Sequence, residues 1–237
     1  MMDFTIQELF AEIGEKGQEI LKNKTVTIIG IGGVGSTVIQ ILARNGINLR
    51  IIDKGRILEK DLVKQSLYRL DDVTKFKAKQ AKKLIEEINQ HIKVKTFHED
   101  LTKNNVFLVE ADVILDLSND MATSEFVNEF AIEKKIPLLF SNYSGAKGHV
   151  LLVDRLQCKK GPCVACIKDK LEFKSKKTSG VFSPVTYALA ALIASVTIKT
   201  LLNIKQDSKL LSIDIMKTEL KHEVVEKNAK CKVCSEK

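Results

Sequence analysis

The stretch TVTIIGIGGVGSTVIQILARNGINLRIID at residues 25–53 decides the fold of this chain. Its first part, residues 25–30, is a short β-branched run that ends in glycine, which is typical of a buried strand. Residues 33–43 then carry apolar side chains at helical spacing until an Asn-Gly pair stops them, and residues 47–53 form a second strand. A strand, a tight turn, a helix and a strand in this order make a βαβ unit. We therefore predict two parallel strands joined by a helical crossover.

Four glycines, Gly30, Gly32, Gly33 and Gly35, lie between the first strand and the helix. Glycine allows a tight turn and lets a phosphate approach backbone N–H groups, while the helix N-terminus adds a partial positive charge. Asp53 ends the second strand, where a carboxylate can accept hydrogen bonds from both hydroxyls of a ribose. This context predicts nucleotide binding rather than glycines that serve packing alone. On these residues NAD, FAD and ATP all remain open.

The alternation of strands and helices continues to about residue 140. The further elements that we predict there are a helix at 76–91, strands at 94–97 and 112–117, a helix at 122–134 and a strand at 136–140. Later strands at 149–153, 210–215 and 220–225 are expected to include antiparallel pairs. The pattern predicts an α/β fold, a Rossmann-like, doubly wound, mostly parallel sheet with later antiparallel strands.

Two segments of the second half need separate interpretation. Residues 179–198 carry no charge, and their many alanines and scattered polar residues favour a buried core helix, beginning after Pro184, over a membrane span. Residues 167–177 are rich in lysine, and we predict an exposed connection there.

Composition limits the function classes. The chain has 237 residues, 44% of them apolar, and a net charge of +8 from 38 basic and 30 acidic residues. Arginine forks and stacked aromatic rings support most base readout, but only five of the basic residues are arginine and aromatics make up 5% of the chain. A lysine-coated surface is therefore expected rather than a nucleic-acid interface. The N-terminus lacks the long apolar run of a signal peptide, so a cytoplasmic location is expected.

The cysteines form two pairs with the same spacing, Cys163 with Cys166 and Cys231 with Cys234, and Cys158 is left over. Without a secretion signal, paired C-x-x-C elements are typical metal ligands, because this spacing lets both sulfurs of a turn face one ion. Two such pairs close a tetrahedral four-thiolate site, which suits zinc and leaves no open coordination position. We predict a structural zinc site, with a redox pair or unrelated thiols as the alternatives.

Several motifs, taken in order, resemble the ThiF/MoeB/HesA family, the ubiquitin-activating-type adenylyltransferases. Residues 14–47 resemble the family's entry helix, glycine loop and helix end, residues 59–78 its loop before the active-site lysine, and residues 137–150 a later strand and turn. The two cysteine pairs fall where the family carries zinc. The resemblance covers about residues 4–234 and favours ATP over NAD.

The resemblance implies an ATP-dependent adenylyltransferase. In this family the C-terminal glycine of a ubiquitin-like or sulfur-carrier protein attacks the α-phosphate of ATP, which gives an acyl-adenylate and pyrophosphate. A single domain over residues 1–237 is implied, with a nucleotide-binding half at about 1–140 and a zinc- and carrier-binding half at about 141–237. Magnesium, a homodimer and a carrier that ends in Gly-Gly are implied as well, without a membrane partner.

The same resemblance supplies the expected site residues. Lys77 stands at the family's active-site lysine and Lys64 at an arginine, and we expect both to be catalytic. Without the family, Lys77 would be interpreted as an exposed helix lysine. The further residues expected to bind the nucleotide or its ion are Asp53, Gln65, Asp116, Asn119 and Asp120.

Several positions depart from the family pattern. The substituted positions are Ile6 and Ser124, which stand at arginines, Gly55, which stands at an acidic residue, Asn119, which stands at an aspartate, and Asp61, which stands at an asparagine. Asn119 takes the place of the magnesium-binding aspartate, so we expect ion binding to move to Asp120 or to weaken. No cysteine lies between Cys166 and Cys231, where family members place a covalent nucleophile, so adenylation without a covalent step is expected.

Three alternatives stay open beside the carrier-activating enzyme. A diverged, non-catalytic ATP-binding scaffold would fit the substituted positions. A tRNA-modifying relative of the threonylcarbamoyladenosine dehydratase type would fit the basic charge. A nicotinamide-dependent oxidoreductase would fit the glycine turn alone.

Overall fold

The computed structural model describes residues 2–169, 171 and 180–235. Its helices are α1 (Thr5–Glu8), α2 (Gly14–Asn23), α3 (Gly33–Arg44), α4 (Lys77–Ile88), α5 (Met121–Lys134), α6 (Val164–Ile167) and α7 (Pro184–Leu201). Its strands are β1 (Thr25–Ile29), β2 (Asn48–Ile52), β3 (Val94–Phe97), β4 (Val113–Asp116), β5 (Leu138–Ser144), β6 (Lys147–Val153), β7 (Leu210–Asp214) and β8 (Glu219–Glu223). Short 3₁₀ turns lie at Glu59–Asp61, Leu70–Asp72 and Val106–Val109.

In the described residues these strands form one eight-stranded sheet in the order β3-β2-β1-β4-β5-β6-β7-β8. The first five strands run parallel, which confirms the predicted βαβ arrangement. Strand β1 lies between β2 and β4, so the strand order reverses at its two edges. In open α/β sheets ligands bind at such a switch point, beyond the carboxyl ends of the strands. The chain therefore presents the segments after β1, β2 and β4 at one edge of the sheet.

The second half of the sheet is antiparallel, as predicted. Strands β5 and β6 pair over seven residues each through a turn at Gly145, whose φ is +59°. Strand β7 then pairs with β6, and β8 pairs with β7. All five residues of β8 are exposed at the edge of the sheet.

Two hydrophobic layers cover the sheet. One contains α3, α4 and α7, with Val26 and Ile28 of β1 facing it. The other contains α5, α6 and the buried cysteines, with Ile29 of β1 facing it. The alternation along β1 is what a strand buried on both faces requires. The helix that follows the glycine loop and the cysteine cluster therefore lie on opposite faces of one sheet.

Helix α7 begins with Pro184 at its first turn, where a missing N–H costs nothing. It is the only helix in the described part of the chain that is long and apolar enough to cross a membrane, and half of that stretch is buried inside the protein. It packs against α3, β5 and β6. This packing agrees with the predicted core helix.

Some predicted boundaries were wrong. Strand β5 continues to Ser144 rather than Phe140, and β6 begins at Lys147, because pairing in the hairpin extends both strands. The expected exposed connection at 167–177 is only partly described, and both Ile167 and Leu171 are buried against the α5 layer. Positions 170 and 172–177 of that connection lie outside the described residues.

Candidate active site

The glycine loop follows the carboxyl end of β1 and opens α3. Gly30 has φ +86°, and a Cβ there would lie 2.9 Å from the carbonyl oxygen of Leu117. A Cβ at Gly35 would lie 2.1 Å from the Gly30 carbonyl oxygen, so the first turn of α3 packs directly on the end of the strand. Gly32 has nothing within 4 Å of the equivalent position. A Cβ at Gly33 would lie 2.7 Å from Cγ2 of Thr186, so the loop combines three tightly packed glycines with one that is open on its Cβ side.

Asp53 ties the glycine loop to the loop after β2. One carboxylate oxygen accepts a hydrogen bond from the Ile31 backbone N–H at 2.7 Å, and the other accepts from the Gly55 N–H at 2.6 Å. A cleft of about 450 Å³ opens beside it, and Gly30, Asp53, Gly55 and Ser118 contribute to its wall. Asp53, the carboxylate predicted to bind the nucleotide, therefore lines a cleft at the switch point of the sheet, where ligands bind in such folds.

Lys77, the first residue of α4, forms an ion pair with Asp61. Its Nζ lies 3.1 Å from Oδ2 of Asp61, and the two side chains are only 13% and 10% exposed. The backbone N–H of Lys77 donates to the Gly55 carbonyl at 2.9 Å. Asp61 also accepts a hydrogen bond from the Leu58 N–H at 3.2 Å. Lys77 is therefore a fixed, half-buried ammonium, in contrast to a solvated surface lysine.

Gly55 separates Asp53 from Lys77. A Cβ at this position would lie 3.0 Å from Oδ1 of Asp53 and 3.6 Å from Cδ of Lys77. The predicted ribose acid and the predicted catalytic lysine are therefore neighbours across a residue that has no side chain. Their juxtaposition brings the C-terminal end of β2 and the start of α4 into one site.

The loop residues Lys64 and Gln65 lie under the start of α7. The Thr186 hydroxyl is 3.4 Å from the Lys64 carbonyl oxygen, and Gln65 is buried. Lys64 is half-buried and forms no ion pair within the residues that the structure describes. The Oε1 atom of Gln65 is buried without a hydrogen-bond donor in the same part of the chain. The Lys64 ammonium and the Gln65 Oε1 atom therefore lack, respectively, an ion-pair partner and a hydrogen-bond donor among the described residues.

Asp116 ends β4 and is buried. Its Oδ1 accepts hydrogen bonds from the Ser118 hydroxyl at 2.6 Å and the Ser118 N–H at 3.2 Å. Burial raises the pKa of this carboxyl above its usual value, while the hydroxyls of Ser118 and Ser124 act in the opposite direction. The carboxylate form of Asp116 therefore carries a desolvation cost.

Asn119 and Asp120 begin the connection from β4 to α5. Asp120 caps α5, since its Oδ2 accepts from the Thr123 N–H at 3.0 Å and the Thr123 hydroxyl at 2.8 Å. Asn119 has φ +55°. The oxygen and the nitrogen of its side-chain amide both form hydrogen bonds with the backbone of Tyr143. Asn119, the residue at the expected magnesium position, therefore has its side-chain amide hydrogen-bonded to β5, and the neighbouring Asp120 carries an exposed carboxylate.

The four paired cysteines come together on the other face of the sheet. Their sulfur atoms all lie within 4.8 Å of one another, with Cys163 at 3.8 Å from Cys166 and from Cys231, and Cys166 at 3.5 Å from Cys234. Cys163, Cys231 and Cys234 are buried, and Cys158 lies outside the cluster. Four converging thiols at this spacing fit a tetrahedral zinc ion. The predicted ligand set is therefore assembled by the fold.

A family model described as the ThiF family matches residues 4–233 of this chain. The chain belongs to the ThiF family. This confirms the resemblance inferred from the motifs, and the sheet and the four-cysteine cluster agree with the fold that the family predicts.

Named ThiF-family relatives include adenylyltransferases. The sulfur carrier protein ThiS adenylyltransferase of Bacillus subtilis is 31% identical over 223 residues, which is 91% of this chain and 66% of that protein. The sulfur carrier protein adenylyltransferase of Thermus thermophilus is 29% identical over 241 residues, 97% of this chain and 89% of that protein. A solved structure of E. coli MccB with ATP matches with a TM-score of 0.80 and 26% identity, covering 92% of this chain and 68% of the other.

The substituted family positions differ in their surroundings. Ile6 is 88% exposed on α1, whereas Ser124 is buried and donates from its hydroxyl to the Asp120 carbonyl oxygen at 3.0 Å. Asp61 is the partner of Lys77. Of these three positions, one is therefore exposed, one is buried and one is held in an ion pair.

Sequence reasoning missed two tyrosines at this site. The hydroxyl of Tyr68 donates to the Lys77 carbonyl at 3.2 Å, and burial raises its pKa, with the charges of Asp53, Asp61 and Asp72 adding to that shift. Tyr143 lies at the carboxyl end of β5, with its hydroxyl against the glycine loop. Its place just after a predicted strand, on the edge that carries the other site residues, was the available signal.

Proposed function

We propose that this chain catalyses the ATP-dependent adenylylation of the C-terminal carboxylate of a small sulfur-carrier or ubiquitin-like protein. The observation that carries the proposal is the juxtaposition of Asp53 and Lys77 across Gly55, at the switch point where the glycine loop opens. Family membership and the adenylyltransferase names of the relatives support the same reaction.

The proposed reaction brings two anions together. A carboxylate oxygen of the carrier forms a bond to the α-phosphorus of ATP, the bond between that phosphorus and the oxygen bridging to the β-phosphate breaks, and pyrophosphate leaves. The protein's task is then positioning and charge neutralisation. Lys77 and Lys64 supply positive charge, and the N–H groups that begin α3 supply hydrogen-bond donors for phosphate oxygens. Asp53 would accept hydrogen bonds from the ribose hydroxyls.

Magnesium and zinc have different proposed roles. Magnesium would offset the charge of the phosphates, and Asp120 is the exposed carboxylate next to Asn119, the residue aligned with the family's ion ligand. Zinc would be held by the four cysteines as a closed structural site that fixes the C-terminal segment to the α5 layer. The proposed partners are a carrier protein that ends in Gly-Gly and a second copy of the chain.

Exchange of labelled pyrophosphate into ATP tests the proposal. We expect exchange that requires a carrier with a Gly-Gly end, and we expect Lys77→Ala to reduce it by at least about 100-fold, because a half-buried charge is lost beside the reacting phosphate. Lys79→Ala, at an exposed position of the same helix, is the matched control and should keep full exchange. Full exchange by Lys77→Ala would remove Lys77 from the catalytic residues.

A second candidate function is an ATP-binding scaffold. It is favoured by the Lys77–Asp61 pair, which leaves the ammonium already neutralised, and by the amide at position 119. ATP binding without carrier-dependent exchange would support the scaffold. Exchange stimulated by tRNA instead of a carrier protein would support the tRNA-modifying alternative.

A further inference from the structure

The side chain of Asn119 fixes the backbone of Tyr143. Its Oδ1 accepts from the Tyr143 N–H at 3.0 Å, and its Nδ2 donates to the Tyr143 carbonyl at 3.3 Å. These two bonds join the end of β4 to the end of β5, next to the glycine loop. The position of Tyr143 is therefore set on both sides of its Cα atom.

The hydroxyl of Tyr143 reaches the first residue of α3. A Cβ at Gly33 would lie 3.1 Å from this oxygen and 2.7 Å from Cγ2 of Thr186, so only glycine leaves room for the phenol. The N–H of Gly33 has no partner within α3, as is usual at a helix N-terminus, and it faces the phenol oxygen of Tyr143. A phosphate bound at the glycine loop would lie beside the phenol, since helix N-termini bind such anions.

The phenol at this position is a hydrogen-bond donor. Burial raises the pKa of Tyr143 above its usual value and the charge of Asp61 adds to this, whereas the Gly33 backbone acts in the opposite direction. The group therefore keeps its proton at neutral pH. Among the residues that the structure describes, no hydrogen-bond acceptor is recorded for that proton. A neutral donor thus faces the mouth of an anion-binding loop.

We propose that the Tyr143 hydroxyl donates a hydrogen bond to a phosphate oxygen of the nucleotide bound at the glycine loop, with Asn119 as the residue that positions it. This inference rests on the proposed function for the identity of the nucleotide. It assigns a phosphate-binding role to a side chain outside the glycine loop, and it gives Asn119 a task other than ion binding.

Titration of ATP by calorimetry tests the proposal. Tyr143→Phe keeps the ring and removes the donor, so we expect ATP to bind about 10- to 100-fold more weakly, the range for a hydrogen bond to a charged group. Tyr187→Phe, at an exposed tyrosine of α7, is the matched control and should bind ATP as the wild type does. Equal affinity of Tyr143→Phe and the wild type would overturn the proposal.

A crystal structure of the wild-type protein with a non-hydrolysable ATP analogue gives a second measurement that does not depend on a variant. A phenol oxygen within about 3.2 Å of a phosphate oxygen would support the proposal, and a phosphate that leaves Tyr143 without contact would contradict it. The two proposals fail separately: a wild type that binds ATP but lacks carrier-dependent exchange contradicts the adenylylation alone. Unchanged ATP binding by Tyr143→Phe contradicts this inference alone.

Discussion

Lys77 and Asp61 show how individual residues of this site depend on one another. The carboxylate keeps a half-buried ammonium paired at 3.1 Å, and it also accepts a backbone hydrogen bond from Leu58. An ion pair with little solvent around it is stronger than a surface pair, and in the proposed reaction Lys77 would have to leave Asp61 or share its charge with the phosphate. The family resemblance indicated Lys77 but not its partner Asp61, because an irregular loop lies between the two residues.

Asp116 gives a prediction with a defined pH dependence. Burial raises its pKa, so between pH 3.8 and the raised value the folded protein holds a proton that the unfolded chain has released, and stability falls as pH rises through this window. Asp116→Asn keeps the acceptor for Ser118 without the charge. We expect a higher free energy of unfolding at pH 7, because the variant has no charge whose desolvation opposes folding.

The measurement for Asp116 is denaturant unfolding at several pH values. The gain of Asp116→Asn over the wild type should shrink as pH falls through the raised pKa and should vanish below 3.8, where the carboxyl is protonated in both the folded and the unfolded chain. Asp71→Asn, at an exposed aspartate, controls for the general loss of a charge. A gain that stays constant with pH would mean that desolvation of the carboxylate is not its cause.

The elements around the site were predictable where local pattern and tertiary pairing agree. Strand β3 was predicted with its observed bounds, and α3 within one residue. The end of β5 was not, because Ser141 and Asn142 interrupt the strand pattern before Tyr143, and all three become extended through their pairing with β6. The same pairing places Tyr143 at the site, which explains why sequence reasoning missed both features.

The glycine loop supplies a prediction at the scale of an element. Gly35→Ala would put a methyl group 2.1 Å from the Gly30 carbonyl oxygen, so we expect a loss of about 3 kcal/mol in unfolding free energy as α3 is pushed from β1. Gly32→Ala meets nothing within 4 Å and should change stability by no more than about 0.5 kcal/mol. Chemical denaturation of both variants provides the comparison. Equal stability of the two would contradict the packing role of Gly35.

The whole molecule joins two centres through one sheet. The nucleotide edge uses the carboxyl ends of the parallel strands, while the cysteines gather on the opposite face, beside α5. The two C-x-x-C pairs could be assigned to one site from sequence, because a structural zinc ion takes four ligands and each pair supplies two. Their place in the buried α5 layer could not, because it depends on how residues far apart in sequence return to the sheet.

Metal removal is the prediction that belongs to this scale. We expect one zinc ion per chain, and Cys163→Ser or a strong chelator should lower the thermal midpoint by roughly 10 °C or more, since each kcal/mol is worth about 2–4 °C at this chain length. Cys158→Ser, at the cysteine outside the cluster, should retain both zinc and midpoint. Thermal unfolding with metal analysis measures both. A chelated protein with an unchanged midpoint would argue against a structural metal.

The exposed strand β8 has a consequence for how copies of this chain meet. An edge strand offers unpaired backbone groups to any neighbour. If two copies of β8 aligned antiparallel about Lys221, each lysine would face the other and Glu219 would face Glu223, and a parallel in-register alignment would also oppose like charges. Self-addition along this border is therefore repulsive. Like charges on β8 therefore oppose growth of the sheet through either of these two in-register alignments.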